Sequence, residues 1–170
     1  MCAGHHDGGT DDGQRQDLDP DSRADRPLHR SLRRLPDVPL GQRAVRRESR
    51  AKTFAEALTT VEEYLEMPYR TRRRPQSSPA VRQQLTDEVS DLLARMALRQ
   101  AWLQIEASAV AGPCSALVAT ARADAGARMS LAWQQPPITT YSGMNLGVPY
   151  PRDRSIAARA NCIAVMRRHL

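Results

Sequence analysis

The residue types that could do chemistry are few in this chain, and they stand badly for it. Cys2, His5, His6 and Asp7 are all ligand types for zinc, but no second pair follows at the spacing a tetrahedral site needs. No metal site is expected there. The three cysteines, Cys2, Cys114 and Cys162, form no Cys-x-x-Cys. Their odd number fits free thiols in a reducing compartment. Cys114 stands near an expected helix start, where a thiolate is favoured. It also falls on an apolar face, and a small buried side chain is the simpler reading. His29 and His169 have no acidic or thiol neighbour that could make a triad. No catalytic, cofactor-binding or metal-ligating residue is assigned, and no cofactor is expected.

What remains is the chemistry of contact. Arg70, Arg72, Arg73 and Arg74 crowd a proline-bounded connector over 68–79, with Tyr69 available for stacking. Tyr141, Asn145, Tyr150, Arg152, Arg154 and Arg159 form a second group further on. Arginines beside tyrosines can grip a nucleotide, a single strand or an acidic peptide. The competing reading, which is favoured for both groups, is internal. There the connector's charges balance the acidic helix before it, the tyrosines pin a loop, and Arg152 and Arg154 pair with Asp153 or that acidic helix. Residues 104–126 offer a helix-turn-helix reading with Gly112 at the turn. The second helix offers only Ser115, Thr120, Arg122 and Asp124 as readers, and direct readout wants Arg, Asn or Gln near its start. That reading is set aside.

The chain has 170 residues, room for one domain with a real core. Its 25 basic against 19 acidic residues give a formal charge of +6, and 24 of the 25 are Arg. With abundant Ala and a single Phe, this points to a high-GC bacterial genome. It also weakens the inference from charge to phosphate binding, because coding bias alone supplies Arg. No apolar run approaches the ~18 residues that span a bilayer, and residues 1–30 lack the apolar centre of a signal peptide. A soluble, cytoplasmic protein without a membrane partner is expected.

The elements follow from periodicity. Residues 1–50 carry no aromatic and no Ile, and their charge is blocked: acidic over 1–25, basic over 26–50. Such a stretch cannot offset roughly 1–2 kcal/mol of backbone entropy per residue, so a disordered tail is expected. A translated upstream region, with the native start near Val45, is the alternative. A helical domain over 51–170 follows. Its first helix, 53–67, opens on a capping box, Thr53 to Glu56. It carries the stripe Phe54, Leu58, Val61 and Leu65 and ends at Pro68. Ser78 and Pro79 then open a long helix, 79–111. Its first stripe is Val81, Leu85, Val89, Leu92, Met96 and Leu103; a second runs through Leu93, Leu98, Trp102, Ile105 and Ala109. Gly112-Pro113 separates it from a helix over 113–132 with Cys114, Val118, Ala121, Ala125 and Met129 on one face. A last helix, 154–169, capped by Asp153 or Ser155, carries Ile156, Ala160, Ile163, Met166 and Leu170. The loop 134–153 is longer than packing alone requires, and it is the expected place for a site. Trp102 and Trp133 are expected as core anchors.

The fold class is therefore all-α: a small bundle of about four helices around a long central helix, with a disordered N-terminal tail. A non-catalytic regulatory or accessory protein acting by macromolecular contact is expected, with a protein partner or a second copy. The first alternative is a nucleic-acid-binding protein using the Arg-rich segments. The second is a small-ligand protein or enzyme with the 134–153 loop as a lid.

Overall fold

Phe54, Ala57, Val61, Tyr64 and Leu65 recur at helical spacing and are all buried, which sets the inward face of the first helix. In the computed structural model, which describes residues 40–147 and 149–170, that helix is α1, Leu40–Arg72. It is followed by α2, Pro79–Glu106, α3, Ser108–Gln134, a single 3-10 turn, Ser142–Met144, and α4, Asp153–Arg168. No strand occurs among the described residues. The expected all-α bundle of four helices is what the chain forms.

Several boundaries move, each for a physical reason. Helix α1 begins at Leu40, so residues 40–50 are not the disordered segment expected of them; that expectation for 1–39 lies outside the described residues. Arg, Ala, Gln and Glu are good helix formers. Once the turn around Phe54 is packed, growth upstream needs no new nucleus. Thr53 therefore caps nothing: its Oγ1 donates to the Ser49 carbonyl within the helix, at 3.2 Å. Nor does Pro68 stop the helix. Its missing N–H removes one bond, but Met67, Pro68 and Thr71 are fully buried, and that burial outweighs the loss. Arg70 and Arg72 are helical in consequence, not part of a connector.

Helix α2 starts as expected, with Ser78 Oγ accepting from the Val81 N–H at 3.4 Å and Pro79 first in the helix. It ends early. The chain breaks at Ala107 (φ −150°, ψ 62°) and turns straight into α3, which runs through Gly112 and Pro113. Breaking there brings Val110, fully buried, and then Cys114 into the core. A helix-turn-helix over 104–126 is thereby excluded. Helix α3 packs on each of the other three.

The inward stripe of α2, Leu85, Leu92, Met96 and Leu103, meets Leu117, Val118, Ala121 and Ala125 of α3 in one cluster. The alanines let the helices approach closely. Cys114 and Cys162 form a disulfide between α3 and α4, with Cα atoms 5.4 Å apart. This corrects the expectation of free thiols for that pair. It also turns α4 by one residue from its expected stripe: Ser155, Cys162, Val165 and Met166 are buried, while Ile156, Ala160 and Leu170 face outward. Ser155 is no cap. Its Oγ donates to Asp124 Oδ2 at 2.8 Å, and the N-cap position falls on Arg152, with no side-chain cap bond.

Candidate functional site

The arginines named from sequence mostly hold their own chain. Arg70 pairs with Glu88 of α2 at 2.8 Å. Arg72 donates to the Pro136 carbonyl, and Arg73 to the Met144 carbonyl, both at 3.1 Å. Arg152 bridges to Glu66 Oε1 at 2.6 Å and donates to the Leu65 carbonyl at 2.9 Å. Arg159 pairs with Glu62 at 2.9 Å, and Arg154 with Asp124 at 3.5 Å. Tyr150 is half-buried. Its ring meets that of Tyr69 at 4.7 Å, and its N–H donates to the Tyr69 hydroxyl at 2.9 Å. Of the ten, Tyr141 (92% exposed) and Asn145 stand out into solvent.

Arg74 is the extreme case, at 3% exposure. Its Nη1 donates to the carbonyls of Thr71 (3.0 Å) and Ala132 (2.8 Å), and its Nη2 to those of Trp133 (3.3 Å) and Gln135 (2.5 Å). The last turn of α3 carries no basic residue of its own, so its terminal carbonyls are met by a cation from just past the end of α1. Burial, then the charges of Arg72 and Arg82, lower the Arg74 pKa from its ordinary value. Sequence showed only another arginine in a run. Its partners lie some 60 residues away, and no local pattern announces them.

The 134–153 loop is pinned to the same end of the bundle. The Ile138 N–H donates to the Arg74 carbonyl at 3.1 Å, and the Ile138 side chain is buried. Gly143 passes so close that an added Cβ would meet Ile138 Cγ2 at 2.8 Å. At the bundle's centre, between Val61, Met96, Leu103, Cys114 and Met166, the free space is about 10 Å³, room for roughly one water molecule.

The unspent surface lies on α2. Leu98, Trp102 and Ile105 follow at spacings of four and three, and are 55%, 44% and 77% exposed. They belong to the second stripe expected in the core. Trp102 is therefore no core anchor, whereas Trp133 does pack partly buried against the core, with Arg74 and Arg82 over its ring at 4.6 and 4.4 Å. Ala94, Ala97 and Ala101 are exposed beside them. Together they make an apolar face about three turns long on the side of α2 away from α1 and α3. The signal was in the sequence: two apolar stripes on one helix exceed what two neighbours can cover.

A second exposed feature is the start of α1. Residues 41–49 are all exposed, and Arg43, Arg46, Arg47 and Arg50 fall within about a third of the helix circumference, with Glu48 on the other side. Arg50 donates to the His169 carbonyl at 2.8 Å, which sets this basic face beside the C-terminal end of α4.

No family model, no curated protein and no solved structure matches this chain. The functional reading rests on its own surfaces.

Proposed function

We propose that this chain is a non-catalytic accessory or regulatory protein that acts by macromolecular contact, and that the outer face of α2 makes the contact. One observation carries the reading: Leu98, Trp102 and Ile105 remain largely exposed on a helix whose opposite stripe is fully used in the core. Burying a large apolar side chain contributes about 1.5–3 kcal/mol, so a partner covering all three gains a useful hot spot. In-cell photo-cross-linking from position 102, with Thr86 on the polar half of α2 as control, tests it. Adducts concentrated at position 102 are expected. Equal labelling at both positions, or none, would overturn the proposal.

The basic face of Arg43, Arg46, Arg47 and Arg50 supports a second reading, contact with a nucleic-acid backbone. Such binding falls steeply with salt. A binding curve on duplex or single-stranded DNA and RNA that is flat in ~50 mM salt removes it.

No described helix is long and apolar enough to cross a membrane. A cytoplasmic site of action in a high-GC bacterium is part of this reading, and it requires that the Cys114–Cys162 bond be tolerated or controlled there. Trapping thiols by alkylation at lysis reports whether the pair is oxidised in the cell.

A further inference from the structure

We infer that the outer face of α2 takes a second copy of this chain, α2 packing antiparallel on α2 about a two-fold axis that crosses between Arg99 and Gln100. The inference rests on the contact reading above and names its partner.

The face is built in two rows. Leu98, Trp102 and Ile105 make one, on the side toward α1; Ala94, Ala97 and Ala101 make the other, on the side toward α3. An antiparallel two-fold pairs them by size. It sets Ile105 level with Ala94 of the second copy, Trp102 level with its Ala97, and Leu98 level with its Ala101. Each large side chain thus has an alanine across from it at the same height, and the helices can approach closely without a void or a clash. Three matches in one register are a property of a self-complementary surface, since an isologous interface must fit itself.

Charge agrees with the direction. The N-terminal half of the same face carries Asp87 and Asp91, both exposed. A parallel pair would set each aspartate beside its own copy and Trp102 against Trp102, adding like-charge repulsion to a steric mismatch. In the antiparallel pair the aspartates lie far apart. Glu106, exposed at the end of α2, instead comes within about one turn of Arg95 of the second copy, on the α1 side. Arg95 already meets Glu63 at 2.9 Å and has a second donor edge to offer.

Light scattering and sedimentation on the full chain test the state, and cross-linking tests the register. The wild type is expected to approach twice the monomer mass near ~100 µM. Trp102→Glu is expected to weaken association about a hundredfold, with its helical circular dichroism retained. In a Cys2→Ser background, a short bismaleimide is expected to join Leu98→Cys chains to each other. It should not join Asp87→Cys chains, whose positions lie about 38 Å apart along the antiparallel pair. A monomer at that concentration, a dimer that survives Trp102→Glu, or equal linking at Asp87→Cys overturns the proposal. A monomer that still gives adducts of foreign mass from position 102 overturns only the second copy and leaves the contact reading standing; a monomer with no adducts overturns both.

Discussion

The guanidinium of Arg74 lies over the ring of Trp133, 4.6 Å from its centroid, while its Nη2 reaches the carbonyl of the same residue at 3.3 Å. Through this pair the last turns of α1 and α3 share one cation, which donates to the carbonyls of Thr71 on one side and of Ala132 and Gln135 on the other. Two helix C-termini, each with partial negative charge, are held together by a group that either alone would welcome.

Arg74→Ala should therefore cost about 2–4 kcal/mol in urea unfolding, because it strands several buried carbonyls at once. Arg74→Lys should recover little: an ammonium cannot reproduce the planar fork of five donors. Arg72→Ala, which removes a single contact to Pro136, should cost less than ~1 kcal/mol. Equal losses for the two alanine variants would show that Arg74 is no clamp.

The Cys114–Cys162 bond closes a segment of 48 residues between α3 and α4. Loop-closure entropy for that span is about 4 kcal/mol, and measured effects typically run ~2–4. Reduction, or the double change to alanine, should lower the melting temperature clearly while leaving a helical spectrum. Alkylation of the protein unfolded in urea without reductant should label one thiol per chain. Labelling of all three would mean the pair is not formed.

Tyr64 gives a pH dependence. Burial raises its pKa above the ordinary 10, with the Arg122 charge acting the other way. Below pH ~10 the phenol is neutral in both folded and unfolded chains, and the shift has no effect. Above it the unfolded chain sheds the proton first, so stability falls as pH rises from ~10 through the folded pKa. Tyr64→Phe should remove this part of the alkaline loss. The stability difference between variant and wild type should grow in the variant's favour above pH ~10; a difference constant from pH 8 to 11 would remove Tyr64 as the source.

How much of this was legible in sequence depends on whether the deciding force was local. The stripe from Leu85 to Leu103 was readable because helical period alone places it, and Ser78-Pro79 because a cap is a local device. Pro68 and Pro113 misled for the converse reason: the local cost of proline is real, but burial of Met67 and Pro68 in one case and of Val110 in the other exceeds it. Apolarity placed Leu98, Trp102 and Ile105 in the core, and they stand exposed instead. It could not show that α1 and α3 already occupy the other side of α2. The arginines split likewise. Arg152 reaches the acidic face of α1 as charge balance suggested, whereas Arg154, expected to do the same, pairs with Asp124 of α3. The carbonyl cage around Arg74 needed the third dimension.

Leu92 and Trp102 make the last test, since both are large apolar residues of α2 and only one is in the core. Leu92 is buried in the apolar cluster, so Leu92→Arg forces a guanidinium into that packing, and several kcal/mol of desolvation should unfold the domain. Trp102 stands out from the helix, so Trp102→Ser removes little internal packing and should change the unfolding free energy of the monomer by no more than ~1 kcal/mol. Chemical denaturation of both variants at low protein concentration checks the contrast. If Trp102→Ser proves as damaging as a core truncation there, the outer face of α2 is part of the fold and not a surface held ready for another chain.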